Sequence, residues 1–236
     1  MNAFVALDLE TTGLQPKSDR ILEMGAVKII DNQIVETYDT LVNPRMAIPK
    51  TVERLTGITQ EMAETGIETT KAVKEIVDFC DNLPLLGHNI LFDYSFIKHD
   101  AVNQGLNFEK TGIDTLKIAR KVLPQLESRS LGALCEYYHI PQEHAHRAMD
   151  DAANTFLLYQ KLEEQYYPEY EAAFSPKPLL YKPKKQGPIT KFQKAYLIDL
   201  LKYHTIECNV EIDSLTKNEA SRMIDQIILA HGRIKR

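Results

Sequence analysis

The sequence predicts an α/β fold, with a mixed sheet flanked by helices, followed by a small C-terminal helix–extended loop–helix module. Three observations support this interpretation. Extended apolar segments joined by short turns fill residues 3–42, segments of helical and strand character alternate up to residue 166, and a Pro- and Lys-rich stretch then precedes a short helical unit. Strands followed by alternating helices and strands are typical of domains with a mixed sheet.

The first strands are expected to form an antiparallel meander. Apolar segments at residues 3–9, 21–30 and 34–42 are joined by turns at residues 13–18 and 31–33. Three extended segments with short connections favour pairing between consecutive strands. They predict the beginning of the sheet.

Beyond Pro49 the pattern becomes mainly helical, with short strands between the helices. Asn89 precedes a helix expected over residues 90–104, and asparagine is a favoured N-cap residue. The other expected elements are a helix after Pro49, a helix over residues 68–82, a strand within 83–89, a strand and a helix start within 112–123, a helix over 130–140 and a long helix over 148–166.

The C-terminal part of the chain has a different composition. Residues 174–188, FSPKPLLYKPKKQGP, hold four prolines and four lysines without an apolar period, which is typical of a linker. We therefore expect one domain over residues 1–172, a linker over residues 173–188 and a small helical module over residues 189–236. Two capping-box spacings mark the helices of this module, and one apolar face is expected on each helix. The boxes are Thr190–Gln193 and Thr216–Glu219, and the faces are Phe192, Tyr196 and Leu200 on the first helix and Met223, Ile227 and Ala230 on the second.

The net charge of −5 conceals a division along the chain. Residues 1–172 hold 16 Lys and Arg against 27 Asp and Glu, whereas residues 173–236 hold 12 against 6. A basic tail on an acidic domain predicts that the tail attracts polyanions, and a solvated basic linker is equally consistent with this composition.

The sequence carries no signal for export or membrane insertion. The first residues lack a basic segment followed by an apolar one, and no apolar stretch reaches the length of a membrane span. Cys80, Cys135 and Cys208 are spaced too widely for a metal motif or a disulfide framework, so they are interpreted as reduced thiols. We expect a cytoplasmic protein without a membrane partner.

The segment FVALDLETTGL, residues 4–14, places two acids at the end of the first strand. Asp8 and Glu10 are separated by one residue, so their side chains point to the same face of the sheet. Their charges repel each other, and burial would raise their pKa values unless a cation or hydrogen-bond donors compensate. A solvated strand end is the alternative for this pair taken alone.

Asp93 is a third acid that is expected to point inward. It lies in the first turn of the helix over residues 90–104, on the same side as the apolar Phe96 and Ile97. The helix dipole alone could also account for an acid at this position.

A fourth acid and a histidine lie near the start of the last long helix. In residues 144–162, HAHRAMDDAANTFLLYQKL, Asp151 falls on the apolar stripe and Asp150 falls on the solvent side. His146 precedes this inward acid, which makes it a candidate base, whereas a lone histidine would be interpreted as structural. The stripe consists of Ala148, Ala152, Thr155, Leu158 and Leu162.

Together these residues form a set suited to divalent metal ions. The four acids supply hard oxygen ligands without cysteine, which favours Mg²⁺ or Mn²⁺ over zinc. Four acids exceed what one hydrated ion requires, so we expect a pair of ions about 3.5–4 Å apart, as in metal-assisted phosphoryl displacement. The residues alone therefore predict a metal-dependent phosphodiesterase that uses Asp8, Glu10, Asp93, Asp151 and His146.

Three motifs, in the order in which they occur along the chain, resemble those of the DEDDh family of 3′→5′ exonucleases. Members of this family include the proofreading epsilon subunit of bacterial DNA polymerase III. The three motifs are FVALDLETTGL (4–14), LLGHNILFDYSFI (85–97) and HRAMDDA (146–152). The intervening segments LVNPRMAIP…LTGIT…M, IDTLKIAR and SLGALCEYY are similar to the family as well, so the resemblance covers about residues 2–165. It implies an RNase H-like fold and the 3′→5′ release of mononucleotides.

The resemblance also implies a role for each residue of the set. Asp8 would bridge both metal ions, and Glu10 and Asp151 would mainly bind the first ion. Asp93 would hold the second ion, partly through water. His146 would act as the general base that deprotonates the attacking water.

By the same resemblance, five further residues would contact the nucleic acid. Thr11, Leu14 and Ile58 would border the terminal nucleotide. Asn89 and Phe92 would line the path of the strand. Core packing is the alternative for Leu14 and Phe92.

The expected function is a metal-dependent 3′→5′ exonuclease of the proofreading or repair type, acting on DNA with two Mg²⁺ or Mn²⁺ ions per active site. Its partners would be DNA with a free 3′ end, single-stranded or frayed, and a DNA polymerase or another replication or repair protein. An RNA exonuclease of the oligoribonuclease or RNase T type and a non-catalytic nucleic-acid-binding protein are the alternatives. The C-terminal module, in which residues 215–225 resemble small modules of bacterial and phage DNA-metabolism proteins, would bind nucleic acid or dock on a partner.

Overall fold

A computed structural model divides the chain into a larger N-terminal unit, Met1–Pro183, and a smaller C-terminal unit, Lys184–Arg236. The residues that the structure describes are 3–142, 146–185, 187–208 and 212–234. Within this described part of the chain, no helix combines the length and the apolar character needed to cross a membrane.

A mixed sheet forms the centre of the larger unit. Its strands are β1 (Ala3–Thr11), β2 (Ile21–Ile30), β3 (Gln33–Asn43), β4 (Ile67–Glu68), β5 (Leu85–Gly87), β6 (Thr111–Asp114) and β7 (Lys177–Pro178). Among the described residues the sheet has seven strands in the order β4-β3-β2-β1-β5-β6-β7. The antiparallel meander of β1, β2 and β3 is confirmed. β5 runs parallel to β1, and β6 runs parallel to β5, so the sheet is mixed as the sequence predicts.

Helices connect the strands and cover the sheet. They are α1 (Lys50–Thr56), α2 (Gln60–Glu64), α3 (Thr69–Cys80), α4 (Leu91–Gln104), α5 (Thr115–Val122), α6 (Leu131–Tyr137) and α7 (Ala148–Phe174). The helices predicted after Pro49 and over residues 68–82, 90–104 and 130–140 are confirmed as α1, α3, α4 and α6, and α7 confirms the long helix predicted from residue 148.

α7 is longer than the sequence pattern suggests. It continues past Tyr166 to Phe174, although Pro168 lies within it and the backbone at Tyr170 is not helical. A proline ring disturbs the helical hydrogen bonds around it, which accounts for a bend at this point. The chain nevertheless stays against the sheet because Tyr166, Tyr170 and Phe174 pack on the same hydrophobic core.

The alternation of β1 divides its side chains between two hydrophobic cores. Leu7 and Leu9 belong to the core that contains residues of α3 and α4, whereas Ala6 belongs to the core that contains residues of α5, α6 and α7. Asp8 and Glu10 share the orientation of Ala6, so they emerge on the face that α7 covers.

The N-cap predicted at Asn89 is wrong. Ile90 is the N-cap residue of α4, the helix begins at Leu91, and no side chain in the described part of the chain caps it. Asn89 instead adopts a left-handed backbone with φ of 72°, which asparagine tolerates better than most residues. Its N–H donates to Asp114 Oδ1 at 3.1 Å, so tertiary contact with the end of β6 decides the geometry of this turn.

The linker predicted over residues 173–188 needs a correction in its first part. Lys177–Pro178 pair with β6 as the edge strand β7, and the N–H of Leu179 donates to the carbonyl of Lys110 at 3.0 Å. Leu179 is buried in the core that contains α3 and α4. A Pro- and Lys-rich segment can therefore join the sheet when it carries a leucine that the core accepts, and the larger unit ends after Pro183.

The smaller unit contains two capped helices that pack on each other. Its elements are α8 (Lys191–Tyr203), a 3-10 turn (Ile212–Ser214) and α9 (Lys217–His231). Both predicted capping boxes are confirmed, with Thr190 and Thr216 as the N-cap residues. Residues 209–211 of the predicted extended loop lie outside the described residues.

The apolar faces predicted for these two helices are partly wrong. Leu200 and Ile227 are buried as expected, but Phe192 and Ala230 are exposed and Tyr196 is 37% exposed. α8 carries two overlapping apolar stripes, and the aliphatic one faces the core. The buried residues of this core are Leu197, Leu200, Leu201, Leu215, Ala220, Ile224 and Ile227.

Candidate active site

The carboxyl end of β1 places two acids beside β2. In the antiparallel register, Asp8 lies opposite Gly25 and Glu10 lies opposite Glu23. The register shifts between Glu10 and Thr11, so the regular ladder is interrupted where the acids end. An irregularity of this kind is common beside functional sites, where it redirects the chain.

Asp93 reaches the same end of β1 from the first turn of α4. β5 pairs with β1 at Val5 and Ala6, and the N–H of Leu9, further along the strand, donates to Asp93 Oδ1 at 3.2 Å. The Asp93 side chain is buried. The short connection from β5 to α4 thus delivers this acid to the carboxyl edge of parallel strands, the edge where α/β sheets bind their ligands.

The first turn of α7 brings Asp151 to the same place, and His146 lies there just before the helix begins. One potential ligand atom of each of Glu10, His146 and Asp151 lies within 4.8 Å of the others. The backbone of His146 hydrogen-bonds to the Asp151 carboxylate. His146 has a left-handed backbone with φ of 65°, a conformation that is unfavourable for most residues and is found disproportionately at functional sites.

Gly25 allows the start of α7 to approach the sheet. A Cβ atom at this position would lie 2.1 Å from the backbone C of Ala148 and 2.1 Å from the N of Met149. No side chain can be accommodated at such distances, so the sequence needs glycine here. Because Gly25 lies opposite Asp8, the helix start passes over the strand pair that carries the acids, and this approach brings Asp151 to them.

An ion pair with a buried carboxylate holds Arg147, the residue between His146 and α7. Arg147 Nε donates to Glu23 Oε1 at 3.0 Å, and Arg147 Nη2 donates to the same oxygen at 2.6 Å. The other oxygen, Glu23 Oε2, accepts from the N–H of Ala148 at 2.9 Å. The Glu23 side chain is only 1% exposed. An arginine fork and a helix-terminal amide on one carboxylate form a strong, directional contact, so Glu23 positions the start of α7.

Burial and mutual repulsion raise the pKa values of the two acids of β1. For Asp8 the largest cause is burial, followed by the charges of Asp93 and Asp151. For Glu10, burial together with the charges of Asp151 and Glu23 raises the pKa to about 8. These two carboxyl groups therefore favour protonation unless a cation is close by.

The pKa values of the other two acids, Asp93 and Asp151, are also raised, although nearby hydrogen-bond donors oppose the shift. Burial raises the pKa of Asp93, whereas the backbone N–H groups of Leu9 and of Asp93 itself lower it. Burial raises the pKa of Asp151, whereas the charge and the backbone hydrogen bond of His146 lower it. The charges of the other three acids all raise the pKa of Asp8, which indicates that the four carboxyl groups lie close together.

The donor set fits divalent metal ions. The cluster offers carboxylate oxygens, which hard cations prefer, and Glu10, His146 and Asp151 lie close enough together to share one ion. A bound cation would also stabilise the ionised forms of Asp8 and Asp93, whose charges desolvation disfavours. The structure thus brings together all five residues predicted to be catalytic.

Thr11 ends β1 directly after Glu10, and Leu14 lies on the turn that follows the strand. Thr11 is buried, and its Oγ1 donates to the carbonyl of Gly13 at 2.7 Å. Leu14 is 76% exposed, which excludes the core alternative for this residue. An exposed leucine next to an acid cluster is available to contact a base or a sugar.

Asn89 and Phe92 lie shortly before Asp93 in the chain. Asn89 is exposed, and Phe92 is half-buried. The ring of Phe92 packs against that of Phe96 with 5.1 Å between the centroids, so part of this side chain serves the core. The rest of it is accessible beside Asp93.

Ile58 differs from the other predicted nucleotide contacts because it is completely buried. It packs with Leu22, Ile48 and Ala63 in a small separate core. A nucleotide contact by this side chain stays a prediction, and it would require the segment between α1 and α2 to move.

Sequence reasoning missed Glu23, Gly25 and Arg147. The strand segment ILEMGAV contains one acid and one glycine among apolar residues. A buried acid indicates a partner, and a glycine within a strand often marks the close approach of another backbone. The partner in both cases lies at the start of α7, more than 120 positions along the chain, where no local pattern points to it.

Comparison of sequences places this chain among nucleases. The family model described as Exonuclease matches residues 5–159. The PolC-type DNA polymerase III of Caldanaerobacter subterraneus subsp. tengcongensis is 38% identical over 162 residues, which cover 69% of this chain and 12% of that protein. The 3′-5′ exonuclease DinG of Bacillus subtilis is 34% identical over 171 residues, which cover 70% of this chain and 18% of that protein. The chain therefore spans less than a fifth of the length of these relatives.

Solved structures with the same fold include two nuclease complexes. The structure of E. coli exonuclease I with a dA16 oligonucleotide matches with a TM-score of 0.65 and 18% identity, covering 73% of this chain and 43% of that chain. Exonuclease X in complex with 5′ overhanging duplex DNA matches with a TM-score of 0.58 and 25% identity, covering 72% of this chain and 97% of that chain. These likenesses confirm the RNase H-like fold that the motifs implied.

Proposed function

The chain belongs to the exonuclease family, and we propose that it is a metal-dependent 3′→5′ exonuclease that removes nucleoside monophosphates from DNA 3′ ends. The observation that carries this proposal is the convergence of four carboxyl groups and one histidine at the end of β1. Glu10, His146 and Asp151 lie within 4.8 Å of one another, and the charges of Asp93 and Asp151 act on Asp8.

The four acids would hold two Mg²⁺ or Mn²⁺ ions. Asp8 would contact both ions, Glu10 and Asp151 mainly the first, and Asp93 the second. When bound, such ions neutralise the non-bridging phosphate oxygens and make a bound water more acidic. The family explains a general dependence on divalent metals, and the number and identity of the ions are part of this proposal.

His146 would be the general base of the reaction. Histidine is the side chain best suited to accept a proton near neutral pH, and His146 combines exposure with proximity to Glu10 and Asp151. The ionised Asp151 would stabilise the imidazolium that forms when His146 takes the proton of the attacking water. Arg147, held by Glu23, would keep the imidazole directed at the scissile phosphate.

The substrate strand would end beside the segment that follows β1. Leu14 is exposed there and would pack on the terminal base or sugar, while Thr11 would shape the backbone that borders the nucleotide. Asn89 and Phe92 would line the path of the preceding nucleotides. The solved relatives with dA16 and with 5′ overhanging duplex DNA make single-stranded or frayed DNA the substrate that we favour.

The biological setting would be proofreading or DNA repair. The similarity to the PolC-type DNA polymerase III favours a replication polymerase or a repair protein as a partner, and the cytoplasmic location expected from the sequence stays a prediction. Residues 1–172 would provide the nuclease activity. Residues 189–236 would form a module that binds nucleic acid or a partner protein.

A panel of labelled strands tests the proposal. The full chain would be incubated with 5′-labelled single-stranded DNA, a duplex with a mismatched 3′ end, and RNA of the same sequence, each with Mg²⁺, Mn²⁺ or a chelator. We expect the DNA strands to shorten stepwise from the 3′ end with either metal and to stay intact with chelator. Faster degradation of RNA would support the oligoribonuclease or RNase T alternative. Binding without cleavage of any strand would support the non-catalytic alternative.

A further inference from the structure

One face of α8 carries a stripe of aromatic side chains. Phe192 is 91% exposed, Tyr203 is 49% exposed and Tyr196 is 37% exposed. These are the exposed aromatic residues in the described part of the smaller unit. Buried aromatic rings stabilise a fold, whereas rings left in water on one side of a helix indicate a surface that receives a ligand.

The helical period brings the three rings onto one side. At 100° per residue, positions 192, 196 and 203 fall within a sector of about 40°, and at 1.5 Å per residue they extend over about 16 Å along the axis. Leu197, Leu200 and Leu201 of the same helix are buried against α9, so the rings lie away from the core. The rings therefore form a row beside the buried side of α8, with Phe192 fully in solvent and Tyr196 and Tyr203 partly exposed.

Charge favours a polyanion as the ligand of this face. Lys191 and Lys202 are exposed, and the helical period places both on the same flank of the stripe. One acid, the exposed Asp199, lies within the stripe itself. Residues 184–236 hold 10 Lys and Arg against 6 Asp and Glu, a net charge of +4, whereas the larger unit is acidic.

From these observations we propose that the aromatic face of α8 binds single-stranded DNA, with bases stacked on Phe192, Tyr196 and Tyr203 and phosphates next to Lys191 and Lys202. Aromatic rings in a basic setting are the general means of holding single strands without sequence preference, because every base presents a π-face. This proposal adds a substrate-binding surface to the proposed function. It rests on that function, because DNA is chosen as the ligand on the ground that the chain is a DNA exonuclease. Holding the strand on the same chain raises its effective concentration at the nuclease site.

A binding assay with the full chain tests this surface directly. Fluorescein-labelled dT20 would be titrated in the presence of a chelator, which prevents cleavage, and anisotropy would report the affinity. Stacking on one ring contributes about 5-fold or more to affinity, so the variant Phe192→Ala/Tyr196→Ala/Tyr203→Ala, which removes three rings, should bind at least about 100-fold more weakly. Because none of the three side chains belongs to the hydrophobic core of the smaller unit, the variant should fold, as its circular dichroism and melting temperature will show.

Two further variants separate stacking from other kinds of contact. Phe192→Trp keeps an aromatic face and should keep the affinity, whereas Phe192→Leu keeps an apolar side chain without a ring and should lose about 5-fold. Lys191→Gln/Lys202→Gln should reduce the slope of log affinity against log salt by about 1.4, since each phosphate contact on a single strand contributes about 0.7. Asp199→Asn should tighten binding because it removes a negative charge beside the strand.

Leu229→Ala is the matched control, because Leu229 is a 90% exposed apolar residue on α9. It should bind dT20 as tightly as the unaltered chain. Hydrolysis of the p-nitrophenyl ester of thymidine 5′-monophosphate, which is too small to span α8, should be the same in all stripe variants. If the unaltered chain does not hydrolyse this ester, the proposed function is refuted. The result of the binding assay is then judged separately.

The proposal fails if the triple alanine variant binds dT20 within 2-fold of the unaltered chain. It also fails if Phe192→Leu binds as well as Phe192→Trp, because the surface would then be an apolar docking face for a protein. If only the lysine variant loses affinity, electrostatic attraction alone holds the DNA on α8. This result would also overturn the proposed stacking of bases on the three rings.

Discussion

The two units of this chain depart from ordinary globular proteins in opposite ways. The larger unit buries charge, because Asp93 and Glu23 lie inside it and Asp8 and Glu10 are largely shielded from water. The smaller unit exposes aromatic surface, since Phe192 projects almost entirely into solvent. Natural sequences violate the usual distribution of polar and apolar groups mainly where they bind something. The buried acids indicate cations, and the exposed rings beside lysines indicate a nucleic acid strand.

Removal of a buried acid should have the largest effect of any single change. Asp8→Ala should abolish metal binding and lower nucleotide release by at least about 10³-fold, because a catalytic metal contributes several kcal/mol to transition-state stabilisation. Calorimetric titration with Mn²⁺ and the labelled-strand assay measure the two losses. The control is Asp225→Ala, which removes an exposed acid of the smaller unit and should change neither. A fully active Asp8→Ala protein would contradict the two-metal assignment.

His146 tests whether the larger unit also provides a proton acceptor. His146→Ala should lower turnover about 10²–10⁴-fold, the usual contribution of a general base, while Mn²⁺ still binds. His139 provides a matched control, because it is another exposed histidine with a left-handed backbone, φ of 55°. His139→Ala should leave turnover unchanged. Equal losses in the two variants would show that His146 acts through backbone geometry rather than proton transfer.

The Glu23–Arg147 ion pair at the start of α7 should contribute more to the free energy of unfolding than an exposed ion pair does. Glu23→Gln leaves Arg147 without its charged partner and should lower the free energy of unfolding by about 2–3 kcal/mol, with a fall in turnover as His146 and Asp151 lose their positions. Glu68→Gln removes the partner of Arg45 at an exposed pair and should cost less than about 1 kcal/mol. Urea denaturation without metal compares the two, and similar costs would argue against Glu23 as a positioning residue.

The buried acids should also make the stability of the metal-free protein depend on pH. The pKa of Glu10 rises from its ordinary 4.5 to about 8 in the folded state, so the folded state binds protons more tightly than the unfolded state. This contribution to stability is complete below about pH 4.5 and is lost as the pH rises through about 8. With chelator, the melting temperature should therefore fall between pH 5.5 and pH 8.5, and Glu10→Gln should reduce that fall.

Divalent metal should oppose this fall of the melting temperature with rising pH, because carboxyl groups must be deprotonated to bind a metal ion. With Mn²⁺ the melting temperature should rise relative to the chelated protein, and it should rise more at pH 8.5 than at pH 5.5. A pH dependence that Mn²⁺ does not alter would place the metal elsewhere.

Much of the candidate active site could be predicted because it depends on local periodicity. The two-residue period of β1 puts Asp8 and Glu10 on one face, and the helical period of residues 148–162 separates Asp151 from Asp150. These periods follow from backbone geometry that each segment adopts on its own. The capping boxes at Thr190 and Thr216 are local in the same sense, and the structure confirms both.

Other features were decided by contacts between distant segments. Asn89 is not an N-cap because Asp114 of β6 holds its backbone, and the segment around Leu179 is not a linker because the core accepts that leucine. The Glu23–Arg147 pair joins positions 124 residues apart. No pattern within one segment records which residue of another segment will face it.

By itself, the sequence determined the type of each main element, the face on which the acids lie and the order of the motifs, because covalent geometry sets the periods of strands and helices. The tertiary structure alone decided which faces are covered. On α8 two apolar stripes compete, and burial of the aliphatic Leu197, Leu200 and Leu201 against α9 leaves Phe192 in solvent. Helical periodicity identifies the residues that share a face, and only packing determines which face meets the core.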